Sequence, residues 1–151
     1  KDDAGIILRA AKYKKNVQIL SKSALQNYSN QFIEFLKVEN IDLIVLAGFL
    51  LKIPIEFINA FPNKIINLHP SLLPKYGGKG MFGKHVHQAV IDNNEKQSGI
   101  TIHFVNEEFD KGEIILQATC EINLNETVET LTKKIQELEF EHFPKAIEIF
   151  L

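Results

Sequence analysis

The stretch "IDLIVLAGF", Ile41–Phe49, is an almost unbroken apolar run rich in β-branched residues. A run of this kind reads as a strand covered on both faces, as strands of a parallel sheet are. It stops at Ala47-Gly48, after which Pro54 suits the first turn of a short helix through Phe61. "KIINLH", from Lys64, supplies the next buried strand. Two adjacent central strands are thus expected to end in Gly48 and His69, which sets an open α/β plan.

The flanking segments extend that plan in both directions. Upstream, Ile6, Ile7, Ala10 and Ala11 fall at helical spacing between Asp3 and Lys15, and "NVQIL" (Asn16–Leu20) offers a short strand. Ser23 with Gln26 reads as a capping box for a second helix, whose stripe is Leu25, Tyr28, Phe32, Phe35 and Leu36. Downstream, a helix over residues 83–93 precedes "SGITIHFVN", where Ile100, Ile102 and Phe104 alternate with Thr101, His103 and Val105. After a turn at Asp110-Lys111-Gly112, "GEIILQATCEI" forms a further strand. Asn125 is expected to cap a last helix with Val128, Leu131, Ile135 and Leu138 toward the core, and Pro144 to kink or break it. The prediction is one α/β domain over residues 1–151: an open, mostly parallel twisted sheet flanked by helices, with a late antiparallel hairpin.

Charge and composition narrow the partners. Seventeen Lys and Arg stand against nineteen Asp and Glu, a formal net charge of −2, and 45% of the 151 residues are hydrophobic. That balance gives no long-range field for a polyphosphate backbone or an anionic membrane, so neither is an expected partner. The single cysteine, Cys120, has no mate for an internal disulfide, which points to a reducing cytoplasmic setting. His85 and His87 sit two apart on a predicted helix and face different ways, so no metal is expected. His103 reads as a packed or hydrogen-bonded histidine, and His142 continues the apolar stripe of the last helix.

In open α/β sheets ligands collect beyond the carboxyl ends of the strands, where Gly48, Asn67 and His69 fall. Asn67 and His69 project to one side of an extended backbone, so an amide and an imidazole can converge on one substrate oxygen. In acyl transfer a donor aimed at a developing oxyanion is worth about 10²- to 10³-fold in rate. Taken singly, each residue reads equally as a structural group at a strand end. Asp110 changes the weighting. If the strand near Gly99–Val105 neighbours Ile65–Leu68, its carboxylate comes beside His69 and raises the imidazole pKa.

The combination "IDLIVLAGF…INLHPSLLPKYGGKG…GITIHFVNEEFDKGEIILQ" resembles the phosphoribosylglycinamide formyltransferases, folate-dependent enzymes of purine synthesis. The Asn-x-His-Pro-Ser-Leu-Leu-Pro motif and the distal His-Phe-Val-x-x-x-x-Asp carry the likeness, which covers nearly the whole chain. It implies a Rossmann-like formyltransferase fold and small-molecule substrates. A formyl group would pass from the cosubstrate 10-formyltetrahydrofolate to the amine of glycinamide ribonucleotide, without a covalent enzyme intermediate, in a monomer or weak homodimer. Asn67 and His69 would polarise the formyl group, while Asp110 would keep His69 protonated and position a water. Leu50, Leu51, Lys52 and Ile53 would line the folate slot, with Asn67, Asn106, Glu107, Glu108, Phe109 and Asp110 closing it. Gly48 and Pro70 would border the glycinamide. Gln136 and Glu139, three apart on the last helix, would reach the ribose or amine side. Taken singly, these residues read as ordinary core or solvated helix face.

Two features depart from the family pattern. The usual opening strand, Ser-Gly-x-Gly-Ser-Asn type phosphate loop, helix and second strand are not among these residues, so the chain is expected to be an N-terminally incomplete piece of a longer protein. Leu25 stands near where many relatives carry an arginine for the folate tail. Other readings stay open: a formyltetrahydrofolate hydrolase, a methionyl-tRNA formyltransferase, or a noncatalytic folate-binding domain. Pro70, directly after the histidine, argues against the first two.

Overall fold

Residues 5–151 are described by the computed structural model, and the chain divides into two units, one through Asn40 and one from Ile41 to Leu151. In the first unit α1 covers Gly5–Lys12, and the expected start at Asp3 lies outside the described residues. Helices α2 (Lys22–Asn27) and α3 (Ser29–Val38) follow. Ser21, not Ser23, caps α2, accepting a hydrogen bond from the Ala24 amide at 3.0 Å. Tyr28, at φ −122°, interrupts the expected single helix, and the buried line becomes Leu25, Ser29 and Ile33, leaving Tyr28 and Phe35 exposed. Asn16–Leu20 forms no strand. Its side chains are exposed, and no ladder reaches it among the described residues.

The second unit is built on four strands: β1 (Ile44–Leu46), β2 (Ile65–His69), β3 (Gln97–Phe104) and β4 (Ile114–Glu121), side by side in that order. β1 and β2 are parallel, joined through α4 (Ile55–Ala60), with Ile44 opposite Ile65 and Leu46 opposite Asn67. β2 runs antiparallel to β3, and β3 antiparallel to β4. The α/β plan stands, with a mixed sheet in place of a mostly parallel one. β1 is also short and lies at an edge of the described sheet, so Val45 is 37% exposed where burial on both faces was expected.

α5 (Lys84–Asp92) and α6 (Val128–Glu148) supply the apolar cover. Val86 and Val90 of α5 pack with Leu131 and Ile135 of α6 around Ile100 and Ala118, while Phe143 and Ala146 pack on Ile66 and Ile102. Thr127, not Asn125, caps α6, in a reciprocal box with Thr130. Helix α6 runs on through Pro144. The missing N–H forfeits one backbone bond, while Phe143 and Ala146, buried on either side of it, keep the last turns in the core.

Candidate active site

β2 delivers Asn67 and His69 to one side, and the Asp110 carboxylate spans them. Asp110 Oδ2 lies 3.5 Å from His69 Nδ1, and Oδ1 lies 3.5 Å from the Asn67 Nδ2 donor. Antiparallel pairing of β2 with β3 brings the Asp110 turn alongside, as expected. The same register sets His103 opposite Asn67, with His103 Nε2 3.2 Å from Asn67 Nδ2 and 3.6 Å from Asp110 Oδ1. His103 is a site residue that alternation alone hides. Pointing away from Ile102 means pointing at Asn67, which follows only once the strand pairing is known.

Two backbone carbonyls assign the protons of the two rings. A carbonyl can only accept, so His69 donates from Nε2 to the Tyr76 oxygen at 2.7 Å, and His103 donates from Nδ1 to the Phe104 oxygen at 2.7 Å. In the neutral rings the lone pairs then fall on opposite atoms. His103 Nε2 accepts from Asn67, and His69 Nδ1 faces Asp110. The Phe104 carbonyl is reachable because residue 112 is glycine: a Cβ there would lie 1.6 Å from that oxygen.

The loop after β2 completes the site with main-chain groups. The Gly78 amide donates to Asp110 Oδ2 at 2.8 Å, bracketing the carboxylate from the side away from Asn67. Tyr76 adopts φ +55°, a left-handed conformation costing an ordinary residue about 1–2 kcal/mol. Thr101 Oγ1 donates to the Ser71 carbonyl at 2.6 Å and accepts from the Leu73 amide at 3.0 Å and from Gln117 Nε2 at 2.9 Å. Ser71 Oγ donates to the Lys75 carbonyl at 2.7 Å. The loop is therefore tied both to itself and to the sheet.

Electrostatics correct one expectation. Burial lowers the His69 pKa below 6.5 and outweighs the raising influence of Asp110 and the Tyr76 carbonyl, with His103 lowering it further. Asp110 therefore faces a ring that is neutral at neutral pH, not one it keeps protonated. For Asp110 itself burial acts upward, but the adjacent His103 ring, the Gly78 amide and the His69 ring more than offset it and hold the carboxyl below its usual value. His87 on α5 is also lowered, by burial and then by His69; its Nδ1 is buried without a hydrogen-bond partner. His85 is exposed and lies edge-on to Phe82, with ring centroids 5.5 Å apart.

Other candidates fall around this cluster with less convergence. Gly48 turns the chain at φ +65° just beyond β1, and Pro70 is half-buried directly after His69. Leu50 and Lys52 are exposed, Leu51 is half-buried and Ile53 is buried. Asn106 closes its own turn, donating to the Lys111 carbonyl at 3.1 Å and accepting from the Glu108 amide at 2.9 Å. Glu107 and Glu108 are exposed, and Phe109 is half-buried. On α6 Gln136 is exposed, while Glu139 is half-buried and its pKa is pushed up by that burial.

The family profile described as "Formyl transferase" matches residues 1–147. Over 106 residues the chain is 44% identical to the chloroplastic phosphoribosylglycinamide formyltransferase of Arabidopsis thaliana, covering 70% of this chain and 36% of that protein. Over 117 residues it is 38% identical to the phosphoribosylglycinamide formyltransferase of Haemophilus influenzae, covering 78% of this chain and 53% of that one. The chain thus spans between 36% and 53% of the length of these two relatives. The crystal structure of the phosphoribosylglycinamide formyltransferase from Bacillus halodurans superposes with a TM-score of 0.84 at 35% identity, covering 97% of this chain and 74% of that one.

Proposed function

We propose that this chain, which belongs to the formyl transferase family, carries the catalytic part of a phosphoribosylglycinamide formyltransferase. On this reading it moves a formyl group from 10-formyltetrahydrofolate to the amine of glycinamide ribonucleotide in purine synthesis. The observation that carries the reading is the convergence of Asn67, His69 and Asp110, with each ring nitrogen accounted for. The amide and imidazole suit a formyl carbonyl: both can donate to an oxygen that gains charge, and Asp110 stabilises positive charge on the ring.

In this reaction the amine nitrogen bonds to the formyl carbon and gives up a proton, and the bond from that carbon to the folate nitrogen breaks, with a proton returned to the leaving nitrogen. The Asn67 amide can release its long 3.5 Å contact with Asp110 and donate to the formyl oxygen. His69 takes the amine's proton at Nδ1, the nitrogen not engaged by Tyr76. The charged ring then donates to the oxyanion and returns its proton to the leaving nitrogen. Asp110, 3.5 Å away, stabilises the imidazolium as it forms. Leu50, Leu51, Lys52 and Ile53 with Asn106 to Asp110 are assigned to the folate slot, and Gly48, Pro70, Gln136 and Glu139 to the ribonucleotide. The assigned compartment is the cytoplasm, in keeping with a free, half-buried Cys120.

The test uses the full-length natural protein with both substrates. His69→Ala should cut kcat by about 10²- to 10³-fold, the range for loss of a group acting in the transition state. Unchanged turnover would remove His69 from the chemistry. Formate release with no amine present would turn the reading toward the hydrolase.

A further inference from the structure

We propose that the Tyr76 phenol and Glu95 are positioning residues for His69: their hydrogen bond fixes the left-handed turn whose carbonyl dictates which ring nitrogen of His69 carries its proton. The contacts run in one line. Tyr76 Oη donates to Glu95 Oε1 at 2.9 Å, and the Tyr76 carbonyl takes the His69 Nε2 proton at 2.7 Å. Glu95 itself stands on firm ground, because its amide bonds the carbonyl of Val90, a core residue 1% exposed, at 3.3 Å. The neighbouring Lys96 carbonyl accepts from the Ile122 amide at 3.0 Å.

The loop's other donors near that carbonyl are engaged mainly elsewhere. Ser71 Oγ makes its close bond to the Lys75 oxygen and only grazes the Tyr76 oxygen at 3.5 Å, while the Gly78 amide is spent on Asp110. Tyr76 at φ +55° has an intrinsic tendency to leave its left-handed well, and the phenol tether opposes it. If the peptide rotates, the ring loses the close Tyr76 carbonyl acceptor, and the proton moves to Nδ1, opposite Asp110. The lone pair that the proposed reaction needs at Nδ1 would then be gone. Lys75 pairs with the same Glu95 oxygen at 2.8 Å but touches neither the carbonyl nor the ring.

The kinetic part of this inference rests on the formyl-transfer reading, and the structural part does not. In the full-length protein, ¹⁵N NMR of the imidazoles, with His69 identified by its absence in His69→Gln, should show an Nε2–H ring. Tyr76→Phe and Glu95→Ala should shift it toward Nδ1–H. Both should lower kcat about tenfold with KM within about twofold, as loss of one charge-assisted bond predicts. Glu95→Gln, which keeps an oxygen for the phenol, should restore both readouts, and Lys75→Met should match the parent. An unchanged His69 tautomer in Tyr76→Phe and Glu95→Ala overturns the proposal, as does equal impairment in Glu95→Gln or Lys75→Met. Should Tyr76→Phe fail to fold, Glu95→Ala alone decides. A parent protein without formyl transfer would defeat the reaction reading while the tautomer still judges this one.

Discussion

The two faces of β3 are buried alike and do opposite work. Ile100 and Ile102, each 0% exposed, meet α5, α6 and the sheet through apolar contact alone. Thr101 at 0% and His103 at 2% are just as deep, yet their polar atoms are committed to named partners in the loop and in the site. The apolar face is graded: it loses stability in proportion to what is removed and leaves geometry nearby largely intact. The polar face is all or none, because a buried donor or acceptor without its partner keeps the full desolvation cost. The proposed function sits on the side where small changes cannot be absorbed.

The sharpest way to break this contrast is at the carboxylate both histidines face. Asp110→Asn in the full-length protein should cost about 10³-fold in kcat, some 4 kcal/mol, while the chain stays folded. A mild effect would make the polar face merely structural. Next, Ile102→Ala should lower unfolding stability by about 3 kcal/mol in denaturant titration with kcat nearly unchanged. Loss of kcat as large as for Asp110→Asn would erase the division between faces. Thr101→Val, nearly the same shape, should cost about 2 kcal/mol, since the Leu73 amide, Gln117 and the Ser71 carbonyl all lose a partner. Unlike Ile102→Ala, it should also lower kcat, because it frees the loop that carries Tyr76.

The smallest effect concerns protons. His69 and His87 both have folded pKa values below the 6.5 of an unfolded histidine. Below 6.5 the unfolded chain binds more protons than the folded one, so stability is complete above that value and is lost as pH falls toward the folded pKa values. The denaturation midpoint should therefore drop between pH 7 and pH 5.5, and His87→Gln should flatten the slope. A midpoint constant over that range would mean that these rings titrate in the folded chain as they do in the unfolded one.

Much of this arrangement was readable from the chain. The apolar runs placed β1 and β2, and the spacing of Asn67 and His69, with Asp110 after a neighbouring strand, anticipated that these three side chains converge in the candidate site. What escaped reading shares a cause: it depends on partners that no local pattern encodes. Asn16–Leu20 has strand character but no ladder among the described residues, and β1 is apolar at a sheet edge. His69 has the expected carboxylate beside it, yet its pKa moves the other way, because burial is set by how the loop folds over β2. The Tyr76 carbonyl and the Gly78 amide belong to the backbone, which every residue carries, so their role has no signature in residue type.

Position 112 carries that point furthest. The tautomer of His103, and through it the direction of the Asn67 amide, depends on a carbonyl that any side chain at Gly112 would push aside. A mutational survey limited to acids, bases and amides would pass over this glycine, although the proton pattern of the site is inherited through it. The most intolerant position here can be one that contributes no functional group at all.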